Sequence, residues 1–158
     1  MSRRIAREAA FKALFQLDFN FEEAQREACE NLAIETMFED NPRLTKRYLP
    51  YIEDAVKGTR AHLSEIDELI ASHLKEGWQL PRLMAADRNI LRLAVYEMKF
   101  ADKPISHGIV IDEVVELAKI FGSDESPKFV NGLLGAFSRD GQPREKKSKT
   151  KSEKQSQT

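Results

Sequence analysis

The sequence is poor in the residues that build catalytic and covalent machinery. One cysteine, Cys29, excludes an intrachain disulfide and suits a reducing compartment. Three histidines, His62, His73 and His107, fall on three different segments, none beside Cys29 or a carboxylate at metal-ligand spacing. No H-E-x-x-H, C-x-x-C, G-x-S-x-G or glycine-rich phosphate loop occurs. Asp112, Glu113 and Glu116 cluster on one segment and read as a solvated face. An enzyme, a metal site and a bound cofactor are therefore not expected. No apolar run approaches the ~18–20 residues of a membrane span, and the basic N-terminus carries charges where a signal peptide needs an apolar stretch. A cytoplasmic protein fits.

Turn formers are scarce too, with 7 glycines and 6 prolines in 158 residues, and no run of alternating β-branched residues stands out. What remains is helical periodicity almost throughout. Helices are expected over 3–18, 21–39 (capped by Asn20, with Ala24, Ala28, Leu32 and Ile34 inside), 45–62, 64–74, 84–100, 106–121 and 126–137. Gly77 and Pro81 interrupt the pattern, with Trp78 and Leu80 expected between two halves. The fold class is all-α, about seven helices in two small packed bundles: 1–77, whose first helix is arginine-rich, and 78–140. Residues 141–158 hold no apolar side chain and are expected to be a disordered Lys/Ser-rich tail.

Net charge is −1, but unevenly spread. The tail holds six Lys/Arg and two Glu, leaving 19 basic and 24 acidic groups in residues 1–140. Against that acidic body, the opening "RRIAREAAFKALFQ" is conspicuous. A helix N-terminus carries partial positive charge and prefers acids, yet Arg3, Arg4 and Arg7 occupy the first two turns against one acid, Glu8. On a helical wheel they share an arc with Phe11, Leu14 and Phe15. Guanidiniums beside rings suit single-stranded RNA, with cations on phosphates and bases stacked on aromatics. The alternative is that the rings are core and the arginines reach to water over them. A second candidate surface is "SPKFVNG", where Lys128 and Phe129 sit in the first turns of a helix whose free amides can meet a phosphate. A capped helix with Phe129 in the core explains it equally well.

The motifs "RRIAREAAFKALFQ", "WQLPRL", "ADRNILRLAVYEM", "IDEVVELAKIFG" and "SPKFVNGLL" follow one another in this order. Over about residues 3–137 the sequence resembles the NusB family of transcription antitermination factors. That resemblance implies two helical bundles without catalytic activity. It implies binding of the boxA element of nascent ribosomal RNA as a heterodimer with NusE, a small-subunit ribosomal protein, and assembly with other Nus factors on RNA polymerase. Carried over to this chain, the RNA-binding residues are Arg3, Arg4, Arg7, Phe15 (often Tyr in the family), Phe121, Lys128 and Phe129. The partner-binding residues are Asp87, with Arg88, Arg92 and Glu97 as neighbours on its helix. A homodimer that masks the arginine face stays open. Two other readings compete: a helical protein-binding scaffold without RNA specificity, and the RNA-recognition domain of an rRNA methyltransferase, for which an α/β catalytic domain is missing from the sequence.

Overall fold

The computed structural model describes residues 3–141. Seven α-helices follow one another: α1 (Arg4–Phe19), α2 (Arg26–Asp40), α3 (Leu49–Ala61), α4 (Leu63–Ala71), α5 (Ala85–Val95), α6 (His107–Phe121) and α7 (Ser126–Gly141). Short 3-10 turns precede α2, α3 and α5, and α5 runs on into a π-helical turn, Tyr96–Phe100. The expected tail, apart from Gly141, lies outside the described residues.

One hydrophobic cluster draws side chains from all seven helices, so the two halves share a core. Its centre is α5 and the π-turn, where every residue from Asn89 to Met98 is buried. The apolar residues of "NILRLAVYEM" leave no polar face, which forces that segment to the middle. The wider π-turn takes Tyr96, Glu97 and Met98 inward in succession.

Local signals placed most helix ends within a few residues. Pro50 lies in the first turn of α3, where its missing N–H is harmless. The second helix is the exception. Asn20 is the C-cap of α1, its amide bonded to the Gln16 carbonyl. It is not the N-cap of α2, which begins six residues later. The face of α2 differs as well: Ala24 and Ala28 are exposed and Leu32 is 60% exposed. Glu30, Ala33 and Ile34 are the buried ones. Apolar residues lie on two arcs of α2, and tertiary packing selects the one holding Cys29, Ala33 and Met37. Trp78, expected between the halves, is 52% exposed.

Helices α1 and α5 run antiparallel, fastened at both ends by ion pairs. At one end Arg7 donates to Glu97 through Nε (2.9 Å) and Nη2 (2.7 Å), and both side chains are almost fully buried. The Tyr51 hydroxyl donates to the same carboxylate at 2.7 Å. At the other end Asp18 accepts from Arg88 (2.7 Å), Asn89 (3.0 Å) and Arg92 (3.2 Å). Arg92 continues to Asp67 of α4 through two bonds of 2.8 and 3.0 Å. Removing one member of a buried pair strands the other charge, at a cost of about 3–5 kcal/mol, whereas replacing the whole group with apolar residues is near neutral. Glu97→Ala is expected to lose that amount in urea denaturation. The triple change Arg7→Met/Glu97→Leu/Tyr51→Phe is expected to regain most of it.

Helix α3 approaches the π-turn closely through Gly58, whose Cα faces the Tyr96 ring with no room for a methyl group. The Tyr96 hydroxyl is held in turn by Asp54, at 2.8 Å. Gly58→Ala is expected to cost at least ~1–3 kcal/mol from overpacking, read as a drop in thermal midpoint with helical content retained.

Candidate nucleic-acid interface

The structure separates the three N-terminal arginines. Arg3, the residue before α1, is exposed, and its guanidinium lies 5.2 Å from the centre of the Tyr51 ring. Arg4 is exposed and bonds through Nε to Glu113 of α6 at 3.3 Å. That hydrogen bond and the Glu113 charge raise its pKa. Arg7 is 3% exposed and committed to Glu97. Burial opposes its charge, but the bonds it donates to Glu97, with the Tyr51 and Glu97 charges, outweigh that and hold its pKa above the usual value. Burial, and then the Glu97 charge, push Tyr51 well above the usual phenol range, so its hydroxyl stays a donor. Arg7 is thus corrected from a direct phosphate contact to an internal strut. A buried guanidinium requires a paired acid, and this one has it.

No acid of α1 lies in its first turn. The acids that compensate the arginines come from elsewhere in the chain, Glu97 from the π-turn and Glu113 from α6. The arrangement is a tertiary solution to a local conflict with the helix dipole.

Below the arginines the rings form a ladder. Phe121 of α6 lies 5.1 Å from Phe11, Phe11 lies 6.0 Å from Phe15, and Phe15 lies 5.3 Å from Phe19. Phe11 and Leu14 are core, so this part of the predicted arc is structural. Phe15 and Phe19 are exposed, and Phe121 is half-buried with the Lys12 ammonium 5.5 Å from its ring centre. Phe19 was missed in the sequence, although its i, i+4 spacing from Phe15 is visible there.

A second group sits at the start of α7. Lys128 is exposed, and half-buried Phe129 stacks on Trp78 at 5.6 Å and 30°. Cavities of about 410 and 600 Å³ share these two rings as lining. Asp87, at the start of α5, lines the smaller one. It is 7% exposed, and its Oδ1 has no hydrogen-bond partner. Burial raises its pKa, against a smaller opposing effect of the Ser126 hydroxyl. Trp78, expected between the two halves, is stacked at the surface, which only the fold shows.

The other three residues expected to meet a partner are occupied internally. Arg88 is held by Asp18 and by the carbonyls of Leu83 (2.9 Å) and Pro81 (3.3 Å). Arg92 is held by Asp67 and Asp18, and Glu97 by Arg7 and Tyr51. They stabilise the helix that carries Asp87, and their charged groups are not displayed. Among the described residues no group of three or more His, Cys, Asp or Glu is placed to hold a metal ion, and no helix is long and apolar enough to cross a membrane.

Asp18 reports on this network. Burial acts to raise its pKa, but the bonds from Arg88 and Asn89 and the Arg92 charge hold it below the usual carboxylate range. Its stabilising contribution is therefore complete above the unfolded-state value of about 3.9 and is lost as pH falls through the lower folded value. Asp18→Asn is expected to cost about 2 kcal/mol at pH 7. Its deficit against wild type should shrink in denaturation curves taken below pH 4.

The family model described as the NusB family matches residues 4–139. A transcription antitermination protein NusB of Desulfitobacterium hafniense is 40% identical over 134 residues, covering 85% of this chain and 86% of that protein. One of Bacillus cereus is 42% identical over 134 residues, covering 85% and 95%. The solved structure of T. maritima NusB superposes with a TM-score of 0.77 at 37% identity, covering 92% of this chain and 96% of the other. A structure of antitermination factors NusB and NusE in complex with double-stranded RNA superposes with a TM-score of 0.73 at 30% identity, covering 87% and 96%.

Proposed function

The chain belongs to the NusB family, and from that premise we propose that it is an RNA-binding adapter of transcription antitermination, not an enzyme. It takes a boxA-like single-stranded element of nascent ribosomal leader RNA. It does so together with NusE, in the cytoplasm, and reaches the other Nus factors and RNA polymerase through that complex. The observation that carries the reading is the placement of exposed Arg3 and Arg4 at the head of a ring ladder ending in exposed Phe15 and Phe19, on a body with more acids than bases. Cations at one end and rings along the face suit phosphate and splayed base respectively. A relative seen with NusE and double-stranded RNA supports the coarser part of this reading, an RNA ligand and a NusE partner.

In this reading Arg3, Arg4, Phe15, Phe121, Lys128 and Phe129 face RNA, and Arg7 acts through Glu97 to position α1. The partner meets the chain at the cavity that Asp87 helps to line. Neighbouring Arg88 and Arg92 hold that helix in place. Several phosphate contacts give modest, salt-sensitive affinity, which suits a factor whose binding surface is completed by a second protein.

Fluorescence anisotropy of a labelled boxA-like RNA at two salt concentrations, with and without NusE, tests this. Wild type is expected to bind more tightly with NusE and to prefer the boxA sequence. Arg3→Ala/Arg4→Ala is expected to reduce the salt slope by about 1.4, at roughly 0.7 per lost single-strand phosphate contact. RNA affinity that is indifferent to sequence and to this double change, with NusE binding intact, would leave a protein-binding scaffold instead.

A further inference from the structure

Trp78 of "WQLPRL" is the single tryptophan of the chain, and it is 52% exposed. A lone apolar side chain at the surface is ordinary. This one is held in place from two directions. Gly77 takes a φ of 90°, a conformation open to glycine, and the Trp78 N–H closes the turn onto the Lys75 carbonyl at 2.9 Å. The turn displays Lys75 and Trp78 at its two ends. The indole then stacks on Phe129 of α7 at 5.6 Å and 30°, which fixes its plane.

The stacked pair lines two cavities of unlike charge. The smaller, of about 410 Å³, has Asp87 and Glu125 against Arg82, an excess of acid. The larger, of about 600 Å³, has Lys75 and Lys128 against Glu125, an excess of cation over an apolar floor that includes Leu74 and Leu133. Among the described residues the lysines in ion pairs are Lys12 and Lys119, so the charges of Lys75 and Lys128 are uncommitted. An acidic peptide could meet these lysines but would leave the indole without a flat partner. A base flanked by phosphates satisfies both.

We propose that Trp78 is a further RNA-binding residue, with one base of the strand stacked on the indole face turned away from Phe129. Lys75 and Lys128 hold the phosphates on either side of that base, and Gly77 is a positioning residue for the turn. The inference rests on the RNA-binding reading above and adds Trp78 and Lys75 to the residues that face RNA. It also divides the surface: RNA takes the lysine-lined cavity, and the protein partner takes the acid-lined one.

The test uses the full chain and a boxA-like single-stranded RNA without NusE. Anisotropy of labelled RNA is expected to show about a tenfold loss of affinity for Trp78→Leu. Trp78→Phe, which keeps a ring, should recover most of it. Lys75→Ala should lower the salt slope by about 0.7. Wild-type affinity in Trp78→Leu overturns the proposal, as does an equal loss in the Phe and Leu variants. Loss of NusE binding in Trp78→Leu with RNA affinity unchanged overturns it too, and gives the ring to the protein partner. Failure of wild type to bind the RNA at all overturns the RNA reading itself, so the two failures are distinct. Should the variants not fold, the intrinsic fluorescence of Trp78 in wild type decides. Quenching that saturates with the anisotropy supports the stack, and unchanged fluorescence on saturated RNA binding overturns it.

Discussion

The bidentate bond between Arg7 and Glu97 is the interaction on which the rest of this structure depends. It joins the start of α1 to the end of the central helix, and Tyr51 brings α3 to the same carboxylate. Two charges that would be costly alone in the core become acceptable because each supplies the other's partner, and the Tyr51 hydroxyl adds a third bond, to the oxygen that already accepts Arg7 Nε. The Asp18 cluster does the same at the far end and adds α4 through Arg92 and Asp67. With both ends tied, α1 cannot slide or rotate against α5 without breaking several charge-assisted bonds at once.

That rigidity has a functional consequence. The cations at the head of the ladder depend on where α1 begins. Arg3 and Arg4 are exposed because Arg7, one turn on, is drawn inward. Phe15 and Phe19 are exposed because Phe11 and Leu14, on the adjoining arc, are core. The helix therefore has a buried stripe and a displayed stripe, and the ion pair sets the angle between them. Exposed rings on an unanchored helix would instead tend to be buried against any apolar surface within reach. On α5 the neighbours of Asp87 are spent on internal pairing, and Asp87 itself is buried in the lining of the cavity that Trp78 and Phe129 share.

Much was legible in the sequence because it depends on neighbours along the chain. Seven helices, the central apolar segment, the break at Gly77 and the start at Ser126–Pro127 all follow from periodicity, capping and proline chemistry. The family motifs span most of the chain, and the family assignment agrees with them. The misreading of α2 has a local cause: two arcs of apolar residues compete on one helix, and periodicity alone cannot rank them.

Chemistry between neighbours along the chain therefore sets the kind of element at each place, and the motifs set the family to which the chain belongs. Packing between helices settles which charges are displayed and which are struts. Arg3, Arg4 and Arg7 look alike along the chain, yet Arg7 meets a carboxylate 90 residues away and disappears into the core. Arg88, Arg92 and Glu97 look like a charged face and are internal ties. Trp78 looks like core and is displayed. The physical reason is the same in each case. Whether a charged or aromatic side chain is buried depends on the partner that packing delivers to it, and that partner comes from another helix.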